Sequence, residues 1–152
     1  MSTYVDTSAG TYLEPDMMYV SEALANRMGK QRTSADMVFE YSSKSTANYD
    51  QTTKSDTYLA LSVRERWLVD SDRLMIEVRY ARLKNGQPGW KIHRYGKTEY
   101  AESEVLAGWR VSVDELFEGL IQIFRQLKRK ARVSRTQRGL FILRHRSKVC
   151  AT

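Results

Sequence analysis

Four stretches in the middle of the chain alternate apolar and polar residues, the pattern that half-buried β-strands produce. These stretches are residues 58–67, 74–80, 90–95 and 109–113. Asp70-Ser71-Asp72 has the composition of a polar turn, and Asn85-Gly86 is a strong signal for a β-hairpin. The pattern therefore predicts an antiparallel meander with one apolar face and one basic face.

Two other segments have the spacing of amphipathic helices. Apolar residues recur at helical intervals over 16–28, Pro15 precedes this segment, and Gly29 suits a C-terminal cap. A second helix, long enough to cover one face of the sheet, is expected after Ser112, because Ser112 and Glu115 have the spacing of a capping box.

Together these elements predict an α+β fold. We expect an antiparallel four- to five-stranded meander with one face covered by a long C-terminal amphipathic helix, and a short N-terminal helix. The fifth strand would be residues 37–41. The expected organisation is a flexible arm at 1–15, one domain at 16–133 and a basic segment at 134–152. Residues 42–57 are nearly all small and polar, which predicts a mobile loop within the domain.

Composition adds the sign of the surface charge. The chain has 152 residues, 25 Lys and Arg against 18 Asp and Glu, and a net charge of +7. The charge is concentrated at the end, since 125–152 holds ten basic residues and no acidic one. Such blocks of one sign bind polyanions, although a solubilising tail is the alternative.

Cysteine content and hydropathy bound the compartment. Cys150 is the only cysteine, so an intramolecular disulfide is excluded. The longest wholly apolar run is four residues, 140–143, far below the roughly 20 residues that a membrane-spanning helix needs. We therefore expect a soluble intracellular protein, cytoplasmic or associated with the nucleoid, with no membrane partner.

Motifs for catalysis are absent from the sequence. The chain has no glycine-rich phosphate loop, nucleophile elbow or zinc-protease helix motif. His93 and His145 lie next to cationic residues, which lower the proton affinity of an imidazole. Glu99, Glu102 and Glu104 could bind a divalent ion, but such a cluster is more typical of a solvated loop. We therefore predict that the protein is not an enzyme and uses no cofactor or metal.

Cations and aromatic rings alternate on the basic face of the predicted sheet. Flat rings stack on unpaired bases and cations pair with phosphates, which is how single strands are bound without sequence readout. The predicted nucleic-acid-binding residues on the sheet are Tyr58, Arg64, Arg66, Arg79, Lys91, His93, Tyr95 and Arg110. Those of the basic C-terminal part are Lys128, Arg129, Lys130, Arg132, Arg135, Arg138, Arg144 and Arg146. The element order over 58–132 resembles the single-strand-binding Whirly and transcriptional-coactivator folds, although no shared motif transfers residue roles.

The sequence thus favours a non-catalytic nucleic-acid-binding protein. We expect it to prefer single-stranded DNA over RNA, largely independent of sequence, and to be an accessory to transcription or replication. The alternative is an adaptor or inhibitor that docks its basic surface on an acidic partner such as a polymerase or nuclease. A homodimer is compatible with either hypothesis.

Overall fold

The structure is a computed structural model that describes residues 5–6, 12–29, 33–42 and 49–134. Within these ranges, side chains are described for 13–29, 33–42, 52–122 and 125. The strands are β1 (Val5–Asp6), β2 (Tyr12–Leu13), β3 (Met17–Tyr19), β4 (Met37–Ser42), β5 (Glu65–Asp70), β6 (Met75–Lys84), β7 (Gln87–Tyr95), β8 (Tyr100–Glu102) and β9 (Arg110–Ser112). The helices are α1 (Glu22–Met28), α2 (Tyr49–Ala60) and α3 (Val113–Ser134). The chain divides into two compact units, Met1–Phe117 and Glu118–Thr152.

A five-stranded sheet in the order β3-β4-β5-β6-β7 forms the centre of the first unit. The mixed α+β class is confirmed, but the purely antiparallel meander is wrong, because β4 and β5 pair in parallel. Parallel neighbours need a crossover connection, and here helix α2 lies between the two strands in the chain. The remaining pairs of this sheet are antiparallel.

Helix α2 occupies most of the segment that the sequence predicts as a mobile loop, 42–57. Residues 49–60 are helical, whereas 43–48 lie outside the described residues. The prediction failed because it assumed that a buried helix face must be apolar. Ser55 and Tyr58 are 1% and 0% exposed and face polar partners on the sheet, so a polar helix packs here.

The N-terminal helix is shorter than predicted. Residues 17–19 form strand β3, and α1 begins only after Ser21, whose hydroxyl accepts a hydrogen bond from the Leu24 amide at 3.3 Å. The apolar residues over 16–28 therefore belong partly to a strand and partly to a helix. A short apolar pattern does not distinguish between these two structures. Gly29 caps α1 as predicted, with a positive φ of 63°.

The turns and helix caps that were predicted from a few adjacent residues are present in the structure. Asn85 and Gly86, with φ angles of 52° and 76°, connect β6 and β7 in a hairpin. The Asp70 carboxylate accepts hydrogen bonds from the amides of Asp72 and Arg73 in the turn after β5. Ser112 caps α3, since its hydroxyl accepts from the Glu115 amide. The turns and caps of the sequence analysis are thus confirmed.

The fourth predicted strand does not join the central sheet. Residues 110–112 form β9, which pairs with β8 in a separate two-stranded sheet. In α3, Val113 and Phe117 are buried and Ile121 is 45% exposed. An apolar stripe that continues along this helix and covers the sheet stays a prediction. Within the described residues, no helix is both long and apolar enough to cross a membrane.

The two faces of the central sheet differ in chemistry. One face, here called the α2 face, includes Val38, Glu40, Arg66, Glu77 and Arg79, whose neighbours across the strands follow from the register. The opposite face, here called the aromatic face, includes Phe39, Trp67, Ile76, Val78 and Tyr80. The aromatic face holds the buried Trp67 and Ile76 together with a buried charge, Glu65, whereas the α2 face holds the buried charges Glu40, Arg66 and Glu77.

Candidate active site

Two acidic residues lie opposite each other near one edge of the sheet, one just before β3 and one in β4. The register pairs Met17 with Phe39, which brings Asp16, just before β3, beside Glu40 in β4. The Tyr41 amide donates a hydrogen bond of 2.8 Å to Oδ2 of Asp16, which fixes that side chain against β4. Asp16 is exposed, whereas the Glu40 side chain is only 10% exposed. The pair thus combines a solvent-accessible acid with a buried one.

Among the described residues, three side chains contact the Glu40 carboxylate. The Tyr58 hydroxyl donates a hydrogen bond to Oε1 at 2.7 Å, and Nη2 of Arg66 donates to Oε2 at 2.8 Å. Nζ of Lys54 lies 3.8 Å from Oε1 and its side chain is 27% exposed. Tyr58 and Lys54 are both on α2, one helical turn apart, so the helix delivers a donor and a cation together.

The environment keeps Tyr58 protonated. Burial raises the pKa of the Tyr58 hydroxyl far above its usual range, and the charge of Glu40 and its hydrogen bond raise it further. Asp16 adds to this shift and Arg66 opposes it, which indicates that these groups share one electrostatic environment. Tyr58 is therefore a fixed hydrogen-bond donor to Glu40 and not a proton acceptor.

A chain of ionic contacts continues from Glu40 across the α2 face. Nη1 of Arg66 and Nη1 of Arg79 both donate to Oγ of Ser55, at 3.0 and 2.7 Å. Nε of Arg79 donates to Glu77 at 2.7 Å, and the other oxygen of Glu77 accepts from Arg94 at 2.8 Å. These contacts hold Arg66 in place, so the charge next to Glu40 cannot move independently.

The carboxylate pair suits a hard divalent cation such as Mg²⁺. Mg²⁺ in enzymes is commonly held by one or two carboxylates, with water and substrate phosphates completing its shell. Asp16 and Glu40 provide that donor set, and a carboxylate oxygen that accepts one hydrogen bond retains a further lone pair. No group of three or more Asp, Glu, His or Cys ligands occurs in the part of the chain that is described. The site thus fits a metal held jointly by protein and substrate.

A cavity of about 270 Å³ lies beside the carboxylates, on the aromatic face. Its walls include Phe39, Trp67 and Trp109, and the two indole rings are 5.0 Å apart. Asp16 and Glu40 themselves border the cavity, and its other lining residues carry no charge, so it adds no further charged group to the site.

The chain is similar to one protein family and to a solved structure. Residues 2–123 match the Uma2 family, whose description is "Putative restriction endonuclease". The chain belongs to the Uma2 family. A crystal structure of a "putative nuclease belonging to DUF820" from Anabaena variabilis is similar, with a TM-score of 0.51 and 16% identity. The similarity covers 72% of this chain and 62% of that chain, less than two thirds of its length, and it shows the fold alone. No curated protein matches the chain.

Membership of the Uma2 family corrects two predictions. The family description points to an enzyme, so the prediction of no catalysis is wrong. The same description contradicts a non-catalytic single-strand binder or adaptor. The prediction relied on local motifs, whereas here strand pairing places Asp16 opposite Glu40, which is distant from it in sequence.

Three of the predicted nucleic-acid-binding residues are inside the candidate site of this Uma2 protein. Tyr58 lies in α2 and not on a strand, and Arg66 is 1% exposed, so neither presents an open surface. Arg79 is held by Ser55 and Glu77. The expected basic face is covered by α2, which turns these groups into partners of the buried acids.

The other sheet residues of that prediction are divided between surfaces. The register pairs His93 with Val78, so Lys91, His93 and Tyr95 face opposite to Arg79. Lys91 and His93 are exposed, and the His93 ring stacks on Tyr95 at 4.4 Å. Sequence alternation gives the two sides of each strand, but not which sides of neighbouring strands coincide.

Arg64 and Arg110 belong neither to the residues around Glu40 nor to the group of Lys91, His93 and Tyr95. Arg64 precedes β5 and is 3.7 Å from Asp36, and Arg110 in β9 lies over the Tyr100 ring at 4.7 Å. For four predicted residues in α3 the structure describes no side chain: Lys128, Arg129, Lys130 and Arg132. Four more lie outside the described residues: Arg135, Arg138, Arg144 and Arg146. A nucleic-acid contact by these residues stays a prediction.

Asp16, Glu40 and Lys54 were missed by the sequence analysis. Glu40 follows three apolar residues, 37–39, within a predicted strand, and charged residues are rarely buried without a partner. An acid inside an apolar strand was therefore the available signal. Asp16 begins the segment that was predicted as a helix, and Lys54 is one polar residue in a polar segment, so neither was recognised as a site residue.

Proposed function

We propose that this Uma2 protein is a metal-dependent nuclease that hydrolyses phosphodiester bonds of DNA at the Asp16–Glu40 site. The observation that supports this most directly is the pair of carboxylates, one in β4 and one just before its neighbour β3, with a lysine 3.8 Å from the first. Acids on separate elements with a nearby cation are suited to hold a divalent ion and a phosphate together. The family description indicates DNA as the substrate class.

The roles of the residues follow from their contacts. Asp16 and Glu40 would ligate the divalent ion, which supplies Lewis-acid polarisation of the phosphate and a lowered pKa for bound water. Tyr58 and Arg66 hold the Glu40 carboxylate in one orientation, because each donates to a different oxygen. Asp16 is exposed, so a phosphate group can approach it from the solvent.

Lys54 would be the cation that contacts the substrate. Its side chain is more exposed than that of Arg66, 27% against 1%, so its ammonium group can reach a phosphate oxygen while Arg66 stays buried. A fixed positive charge near the reacting phosphate stabilises the negative charge that develops in the transition state. Lys54 is thus assigned to charge stabilisation and Arg66 to support of Glu40.

The experiment is a cleavage assay on the full chain. Supercoiled plasmid, linear duplex and single-stranded oligonucleotide are incubated with protein and Mg²⁺ or Mn²⁺, with an EDTA control, and products are separated on gels. We expect nicked or linear DNA only when metal is present. Protection of all substrates under every metal condition would contradict the proposal.

A pair of variants separates the site from a contaminating nuclease. Asp16→Asn removes one ligand charge and should abolish cleavage, whereas Asp56→Asn makes the same change at an exposed position of α2 and should retain it. Equal cleavage by wild type and Asp16→Asn would mean that the activity does not come from this site.

A further inference from the structure

The buried Arg66 gives the candidate site an unusual charge balance. Asp16 and Glu40 carry two negative charges, and Lys54 and Arg66 bring two positive charges to the same carboxylate. Among the described side chains the site is therefore neutral before any metal binds. One bound divalent ion would raise the net charge of the site to +2, and a second would raise it to +4. Because the Glu40 side chain is only 10% exposed, water screens the repulsion between these charges weakly.

The geometry at Glu40 also restricts whether two metal ions can share its carboxylate. In two-metal sites the ions are about 3.5–4 Å apart and are bridged by shared oxygen ligands. Here Oε2 of Glu40 faces Nη2 of Arg66 at 2.8 Å, and Oε1 faces the Tyr58 hydroxyl at 2.7 Å. A cationic donor thus occupies one side of the carboxylate that a second ion would approach.

Arg66 is not free to leave this position. It is 1% exposed, its Nη1 donates to Ser55, and the register places it directly opposite Arg79 on β6. Arg79 is in turn bound to Glu77 and to the same Ser55 hydroxyl. Moving Arg66 away would leave the Glu40 carboxylate buried without its oppositely charged partner, which is strongly unfavourable.

We propose that Arg66 is a positioning residue that orients Glu40 and, as a fixed counter-charge, limits the Asp16–Glu40 site to a single divalent ion. The inference rests on the proposed function for the presence of a metal site, and it adds the number of ions and the residue that sets that number. The positive charge that a second ion would supply comes from Arg66 and Lys54 instead.

Isothermal titration calorimetry of the full chain with Mn²⁺ tests this inference without measuring activity. Wild type should bind one ion per chain. Arg66→Gln removes the charge but keeps an amide donor for Glu40, so the Mn²⁺ affinity should rise by at least about tenfold. Arg66→Lys keeps the charge and should bind Mn²⁺ close to wild type. A purely structural role for Arg66 predicts the opposite for Arg66→Gln, namely weaker binding by a disordered Glu40.

The matched control is Arg94→Gln, which makes the same change at the exposed end of the same network, where the Arg94 side chain is 63% exposed. Its Mn²⁺ affinity should stay within about twofold of wild type. Circular dichroism melting verifies folding, and if Arg66→Gln does not fold, Lys54→Gln replaces it, with a smaller rise in affinity expected.

The outcomes distinguish this inference from the proposed function. Two ions bound by wild type, or an affinity that is unchanged or weaker in Arg66→Gln, would overturn the inference even if DNA cleavage is observed. One bound ion with tighter binding by Arg66→Gln, but no cleavage of any DNA, would support the inference and overturn only the proposed function.

Discussion

Glu40 and Glu65 are buried on opposite faces of the central sheet, and the two are held in different ways. Glu40 on the α2 face is surrounded by Arg66, Lys54 and the Tyr58 hydroxyl. Glu65 on the aromatic face is 1% exposed and accepts from four neutral donors. These donors are the Trp67 indole, the Ser103 hydroxyl and the amides of Glu104 and Val105.

The difference separates a structural carboxylate from the carboxylate of the proposed site. Four neutral donors saturate Glu65 and tie the segment 103–105 to the sheet, so no lone pair is left for a ligand. Around Glu40 two of the three neighbours are cations, one of which reaches solvent. A carboxylate that is balanced by charge, and not used up by hydrogen bonds, can still bind a metal.

The largest effect is expected for Glu40→Gln. The amide keeps an oxygen for Arg66 but loses the charge that a divalent ion requires, so DNA cleavage should fall by about 10³-fold or more. Gel assays under single-turnover conditions measure the rate. If the variant cleaves within tenfold of wild type, Glu40 is not a metal ligand and the contrast with Glu65 is lost.

Glu65→Gln should show the reverse pattern. Its amide group would face two backbone donors or two side-chain donors, so the free energy of unfolding should fall by about 3 kcal/mol. Urea denaturation followed by circular dichroism measures this loss. The folded fraction should cleave DNA at nearly the wild-type rate, and a large drop in that rate would place Glu65 in the chemistry.

Lys54→Met tests the cation beside Glu40. This cation has no counterpart among the partners of Glu65 described above. Loss of the ammonium group should lower the cleavage rate by about 100-fold, since it removes charge stabilisation in the transition state. Stability should change little, because the Lys54 side chain is partly exposed. A variant with normal cleavage and reduced stability would assign Lys54 to folding.

The smallest effect concerns Tyr58 at alkaline pH. Burial raises its pKa well above the usual value of about 10, so the unfolded chain loses this proton first and the free energy of unfolding falls as pH rises past 10. One such group contributes a slope of up to about 1.4 kcal/mol per pH unit. Tyr58→Phe removes this contribution, so its stability deficit relative to wild type should shrink between pH 9 and 10.5 in urea titrations. A deficit that stays constant would exclude the linkage.

Local structure was predictable where the signal lies within a few residues. Asn85-Gly86 forces positive φ angles at a hairpin, and Ser112 offers its oxygen to an amide three residues later. Helix α2 was not predictable in this way, because its polar face is matched by charges on strands that are distant in sequence. Only the tertiary structure shows that polar residues there are buried.

The candidate site was the least predictable part for the same reason. Residues 40–66 supply Glu40, Lys54, Tyr58 and Arg66, but their proximity depends on the parallel pairing of β4 and β5. The cations that suggested a nucleic-acid surface were real, yet Arg66 and Arg79 were placed on an open face because a covering polar helix was not foreseen.

One consequence of the strand order concerns how the site opens. The cations and the tyrosine around Glu40 lie on the continuous segment from β4 to β5, whereas Asp16 is delivered by β3, a three-residue strand at the edge of the sheet. Edge segments with few contacts open locally at a lower free energy than the core. Amide exchange in β3 should therefore report the fraction of molecules in which both acids are assembled, because fraying of one short strand would separate Asp16 from Glu40 long before the sheet unfolds.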